Sequence, residues 1–191
     1  MVVLYIGNQD PQLVTKTYAE PGVPMSTAHG SNDKNDKHRL TLRFLAEPTD
    51  VNFGGKVHGG VVMKWIDLAG YACASSWSGR YCVTAYVGGI RFICPIHIGM
   101  VVEVEARVIY TGRTSMHLAI DVYCRDPIEQ ERKKATHCVM IFVAVDRDSK
   151  PVGVPEWSPR TEEEIQLRDY ALKLMSLRQE IDEEMRDYFD S

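Results

Sequence analysis

The chain has 191 residues, of which 45% are hydrophobic and 25% charged, with a formal charge of −4; this is ordinary globular material, enough for one main domain and an appendage or two. Acids and bases are interspersed along most of it, so no basic stripe invites nucleic acid or an anionic membrane, and neither is expected as a partner. No apolar run approaches the roughly 20 residues of a membrane span, and MVVLYIGNQDPQ lacks the basic start and long apolar stretch of a secretory signal, so a cytoplasmic setting is expected. The five cysteines (Cys73, Cys82, Cys94, Cys124, Cys138) are odd in number and lack CxxC spacing. They are expected to be reduced core residues, with no metal site.

Residues 1–37 include AEPGVPMSTAHGSNDKNDK, a turn-rich stretch expected to form a flexible arm. In RLTLRFLA the period is two, placing Leu40, Leu42 and Phe44 on one face of a half-buried strand. After the loop EPTDVNFGGK, the run from about residue 57 to 76 is apolar almost all round, which predicts a buried helix closed by the glycine of SWSGR. Four strand-like runs follow: YCVTAYVGGIRF, MVVEVEARVIYTG, TSMHLAIDVYCRD and ATHCVMIFVAVD. In the second, Val102, Val104, Ala106 and Val108 alternate with Glu103, Glu105, Arg107 and Ile109; in the third, Met116, Leu118, Ile120 and Val122 alternate with His117, Ala119, Asp121 and Tyr123. One face is predicted to be core and the other wetter, with short turns making sequential neighbours antiparallel hairpins. The layout is α+β, one long helix wrapped by a curved antiparallel sheet of five to six strands over residues 38–155. Residues 156–191 add a C-terminal helix, with a capping box at Thr161 and Glu164 and an apolar stripe of Leu167, Ala171, Leu174, Leu177, Ile181 and Met185. At 25 to 30 residues it reaches about 40 Å, and either a second subunit or its own sheet could receive it.

Within the first helix the conspicuous residue is Asp67. Steps of three and four from it reach Gly60, Met63, Gly70 and Ala74, so the acid lies on a stripe of small or apolar side chains. A buried carboxylate needs a partner, a proton, or a cleft where its charge is useful. Lys64 could satisfy it. Alternatively, Gly59 and Gly60 at the first helical turn leave amide donors bare, where a developing oxyanion could be held. His58 beside them could be a base or an imidazole satisfied by backbone.

The ordered set FLAEPTDVNFGGKVHGGVVMKWIDLAG, GGIRFICPIHIGMVVEVEARVIYTGRTSM and KKATHCVMIFVAVDRDSKP resembles the hotdog-fold acyl-CoA thioesterases, which carry a helix motif of the form HGG, several residues, then (D/E)-x-x-G. The resemblance covers roughly residues 38 to 155. It implies hydrolysis of acyl-CoA to a free carboxylic (fatty) acid and coenzyme A, which is part of substrate and product, with no further cofactor. It implies Asp67 as general base or nucleophile and Asn52 as a partner from the opposite subunit, with Gly60 and His58 at the polarising helix terminus. It also implies coenzyme A contacts from Arg113, Thr114 and Ser115 of the segment TGRTS, and from Lys134. Self-association as a homodimer, and as a trimer of dimers forming a hexamer, is implied too. From the residues alone, Asn52 also suits an Asx turn, TGRTS a plain hairpin turn and Lys134 a plain surface lysine. Two alternatives stand beside the hydrolase. A non-catalytic acyl-CoA-binding or sensing protein would keep the fold without turnover. An enoyl-CoA hydratase would need an Asp-x-Asn-Pro-x-His run, of which only Asp50 and Asn52 are in place.

Overall fold

The computed structural model describes residues 37–129 and 131–189, without the side chains of 187–189. The arm expected over residues 1–37 therefore lies, except for Lys37, outside the described residues. Strand β1 (Arg39–Leu45) leads through a single 3-10 turn to helix α1 (Gly59–Ser78); then come β2 (Tyr81–Phe92), β3 (Val101–Thr111), β4 (Ser115–Arg125), β5 (Arg132–Val145) and helix α2 (Glu162–Phe189). The five strands form one sheet in the order β1-β3-β4-β5-β2, antiparallel at every junction. Only β3–β4 and β4–β5 are hairpins between sequential strands. The expected pairing of β2 with β3 is not made: β2 crosses to the far edge and pairs with β5, because α1 lies across the inner face and the chain must leave it on the side where the helix ends.

Helix α1 buries Val62, Trp65, Ile66, Ala69, Cys73 and Ala74. They meet inward-pointing residues of the sheet such as Val104, Met116, Leu118, Ile120 and Phe142. Each fully buried side chain of this size contributes about 1.5–3 kcal/mol of transfer free energy, so this interface dominates the stability of the domain. Gly70 lets helix and sheet approach this closely: a Cβ there would stand 2.7 Å from Cε2 of Phe142 and 2.9 Å from Cδ1 of Ile120. The helix ends at Gly79, whose φ of 65° provides the left-handed cap that a side chain resists.

Two expectations need correction. Helix α1 is not wrapped on all sides, since Met63, Leu68 and Tyr71 are exposed at 46%, 48% and 38%. The second face of the sheet is wet only in part: Glu105 and Arg107 of β3 stay half-exposed, but α2 lies over the middle of the face. Leu167, Tyr170, Ala171 and Leu174 of α2 cover Ile109, Ala119 and Val139. The helix thus packs on its own sheet through its first half, while Leu177, Ile181 and Met185 of the second half stay exposed. Its start is fixed by the expected capping box, in which Glu164 N donates to Thr161 Oγ1 at 3.2 Å and Thr161 N to Glu164 Oε2 at 3.3 Å. Glu164 also accepts a hydrogen bond from Arg39 of β1 at 3.0 Å, tying the cap to the sheet edge. The residues before the helix join the core, with Trp157 nearly buried and its N–H donating to Thr111 Oγ1 at 2.9 Å.

Candidate functional site

The loop from β1 to α1 is organised by Asn52. Its Oδ1 accepts from Gly54 N at 2.9 Å and Lys56 N at 3.4 Å, the Asx-turn arrangement. Because the oxygen is used by backbone, the amide nitrogen is the hydrogen-bonding group the side chain has left, a donor. The loop returns through bonds from Val57 N to Ile96 O and from His58 N to Asp50 O, both 2.9 Å, and so delivers the chain to the start of α1. His58 is the residue before the first turn, and its imidazole makes no capping bond. Its carbonyl accepts from Val61 N and Val62 N at 3.0 and 3.1 Å. The N–H groups of Gly59 and Gly60 find no acceptor among the described residues, as expected for a helix start. Beyond its chain neighbours and its own helix backbone, nothing lies within 4 Å of where a Gly60 Cβ would be.

Asn52 and Gly59 line a cleft of about 380 Å³ whose other walls include Phe92, Ile93, Pro95 and Thr136. Asp67 is not among its walls. It lies two turns further along α1 on the exposed side of the helix, where its Oδ1 accepts a 2.7 Å hydrogen bond from Thr84 Oγ1 of β2. The expectation of a buried carboxylate is thus not met within one chain. Lys64 does not pair with it either, and Asp67 makes no ion pair among the described residues. Thr84 does not stand out in the sequence as a neighbour of the acid. The signal was available, because a helix that packs across a sheet needs a strand beside its exposed acid, and YCVTAYV contains one short hydroxyl side chain. Identifying β2 as that strand required the crossover.

The remaining expected residues fall elsewhere. Arg113 to Ser115 form the tight β3–β4 turn, held by Gly112 N to Ser115 O at 2.9 Å, Ala144 N to Thr114 O at 3.1 Å and Val154 N to Arg113 O at 3.1 Å. Ser115 is paired with Val143, whereas the cleft end of the sheet pairs Phe92 with Thr136, so this turn is at the opposite end of the sheet from the helix start. Arg113 is exposed and its side chain is available to an anion. Lys134 is engaged on the outer face, with Nζ 3.0 Å from Asp121 Oδ1. His137 Nδ1 is 2.7 Å from the same oxygen. Burial alone would push the Asp121 carboxyl up, but the hydrogen bonds from His137 and Lys134 outweigh it and hold the group below the usual carboxylate range.

A helix held against one antiparallel sheet, with bare glycine amides at its start, is the layout expected of a hotdog domain. The sequence profile of the thioesterase superfamily matches residues 54–130. The chain is 38% identical over 127 residues to the acyl-CoA thioester hydrolase YciA of Salmonella typhimurium, spanning 64% of this chain and 95% of that one. It superimposes on the acyl-CoA hydrolase of Bacillus cereus with a TM-score of 0.75 and 30% identity, over 80% of this chain and 93% of that one. A hexameric thioesterase of Yersinia pestis matches with a TM-score of 0.58 and 37% identity, over 61% and 94% of the two chains. The chain belongs to the hotdog acyl-CoA thioesterases.

Proposed function

We propose that the protein hydrolyses acyl-CoA thioesters to carboxylic acid and coenzyme A, at a site shared between two copies of the chain. The observation that carries the shared site is a distance. Gly60 and Asp67 are seven residues apart and nearly eclipsed on α1, so the amide donors and the carboxylate of one helix stand about 10 Å apart along its axis. A single thioester carbonyl cannot touch both. An arrangement in which two α1 helices run side by side in opposite directions brings Asp67 of one against the glycine terminus and Asn52 of the other. The exposed Met63, Leu68 and Tyr71 beside Asp67, and the unpaired edge of β2, support that arrangement. The hexameric relative supports self-association, and we extend it to a homodimer and a trimer of dimers here.

In this reading the amides of Gly59 and Gly60 polarise the thioester carbonyl, and the Asn52 amide orients the carbonyl or the water. Asp67 either removes a proton from the attacking water or attacks the carbonyl itself, and Thr84 holds the carboxylate in place. His58 is at the mouth of the helix start, where its imidazole can lie against the substrate. Arg113, Thr114 and Ser115 reach the coenzyme A phosphates from another subunit, since within one chain they are at the far end of the sheet. Lys134 is a weaker candidate for the same role because Asp121 already holds its ammonium. The chemistry needs water and acyl-CoA and no further cofactor. A cytoplasmic location fits the five free thiols, and residues 38–155 form the catalytic domain that α2 covers. Mixing Asp67→Ala with Asn52→Ala subunits tests the shared site. Partial recovery of thiol release is expected, and no recovery from subunits that do exchange would rule the sharing out.

A further inference from the structure

A second cleft, of about 220 Å³, opens on the outer face of the sheet, between the middle of α2 and strands β2 and β5. Its walls are largely apolar, with Val139, Ile141, Leu174, Leu177 and Ile181 among them. It is well below the roughly 300–1,000 Å³ of drug-sized sites, so its occupant is a single narrow chain.

Two polar groups stand in this apolar wall, His117 and Arg178. His117 is only 4% exposed, lines the cleft, and makes no hydrogen bond to any described residue; its ring meets Tyr110 edge-on at 5.2 Å. Arg178 stacks over the ring of Tyr86, its Cζ 4.3 Å from the ring centroid, and its buried Nε has no hydrogen-bond partner. Asp182 approaches that nitrogen at 3.3 Å, within ion-pair reach but without an aligned hydrogen bond. The Tyr86 ring is held over the backbone at Gly88, where a Cβ would come within 2.3 Å of it. A buried donor without an aligned acceptor, as Arg178 Nε is, is costly. Burial, and the nearby Arg178 charge, depress the His117 pKa to about 4, so at neutral pH the imidazole offers one N–H.

We infer that this cleft binds a monocarboxylate with a short unbranched alkyl chain, its carboxylate accepting from Arg178 Nε and His117 and its chain lying between α2 and the sheet. Arg178 identifies the head group: Asp182 shares its charge, but its Nε has no aligned acceptor, and a carboxylate reaching that N–H from the slot would supply one, which an amine cannot. Such acids are the product class of the proposed hydrolysis, but the inference stands on the cleft alone. Equilibrium dialysis of the full chain with labelled octanoate tests it, with octanol and octylamine as comparisons. Saturable octanoate binding is expected, weaker binding of octanol and none of octylamine. Arg178→Gln removes the charge and is expected to weaken octanoate binding by at least ~10-fold, the loss of one charge-assisted hydrogen bond; Leu177→Trp fills the slot from the exposed side and is expected to abolish saturable binding by exclusion, while saturating coenzyme A leaves binding to the unaltered chain intact. Absence of saturable binding, unchanged affinity in both variants, or displacement by coenzyme A would overturn it.

Discussion

Replacing Gly70 by alanine tests the packing on which the site rests. The added methyl would stand 2.7 and 2.8 Å from Cε2 and Cζ of Phe142 and 2.9 Å from Cδ1 of Ile120, against the roughly 3.5–4.0 Å at which carbon atoms attract. Phe142 and Ile120 are both fully buried, so neither can turn aside and the helix must lift. Overpacking of this kind costs about 1–3 kcal/mol, and the better helix propensity of alanine returns up to about 1 kcal/mol. The net expectation is a loss of about 1–2 kcal/mol, or some 2–8 °C in Tm for a chain of this length. The same lift moves Asp67 away from Thr84, which is bound to it at 2.7 Å, so kcat should fall as well. Thermal unfolding and thiol release, measured together, check both effects. A Gly70→Ala protein that melts at or above the wild-type temperature would refute the tight contact and with it the reason for a glycine there.

Thr84→Val removes the hydroxyl that holds Asp67, and thiol release should show a kcat lowered by roughly ten- to a hundredfold, the value of a hydrogen bond to a charged group, with Thr84→Ser restoring most of it; an unchanged kcat would detach Thr84 from the chemistry. The folded-state pKa of His117 is depressed to about 4 from 6.5, so the unfolded chain binds the proton first and the stabilisation from keeping the ring neutral is present above pH 6.5 and lost as pH falls towards 4, by at most about 3 kcal/mol. Urea unfolding at several pH values should show that slope flattened in His117→Leu. Asp121 behaves with the same sign at lower pH: its depressed pKa gives stability present above the ordinary carboxylate range and lost as acid protonates it, so Asp121→Asn should unfold with a shallower acid limb in a pH titration followed by circular dichroism.

Much of the fold was legible in the sequence because periodicity is a local property. The alternation in MVVEVEARVIYTG and the apolar run from Val57 marked a strand and a helix without any tertiary information, and Thr161 and Glu164 marked the start of α2. What stayed hidden depends on which element covers which. The residues opposite the core in β4 read as solvent-facing, yet His117 and Asp121 are buried because α2 folds back over them. The helix around Asp67 read as wrapped, yet one side is open, because an apolar run shows that a face is apolar and not which element, if any, covers it. Asp67, Asn52, Gly60 and the segment at Arg113 could be picked out as residues. That Asp67 and the glycine amides stand apart on one helix, and that Thr84 bonds to the acid, depends on helix geometry and on the crossover of β2.

Hydrolysis at the proposed site depends on the Asp67 carboxylate. Thiol release from a saturating acyl-CoA by Asp67→Asn measures it most directly, since the amide oxygen can still accept from Thr84 but the side chain can neither take a proton nor attack. An oligomer of wild-type size is expected, with turnover lost by at least ~10²-fold, the scale of a removed general base. Turnover near the wild-type rate in that variant would contradict it.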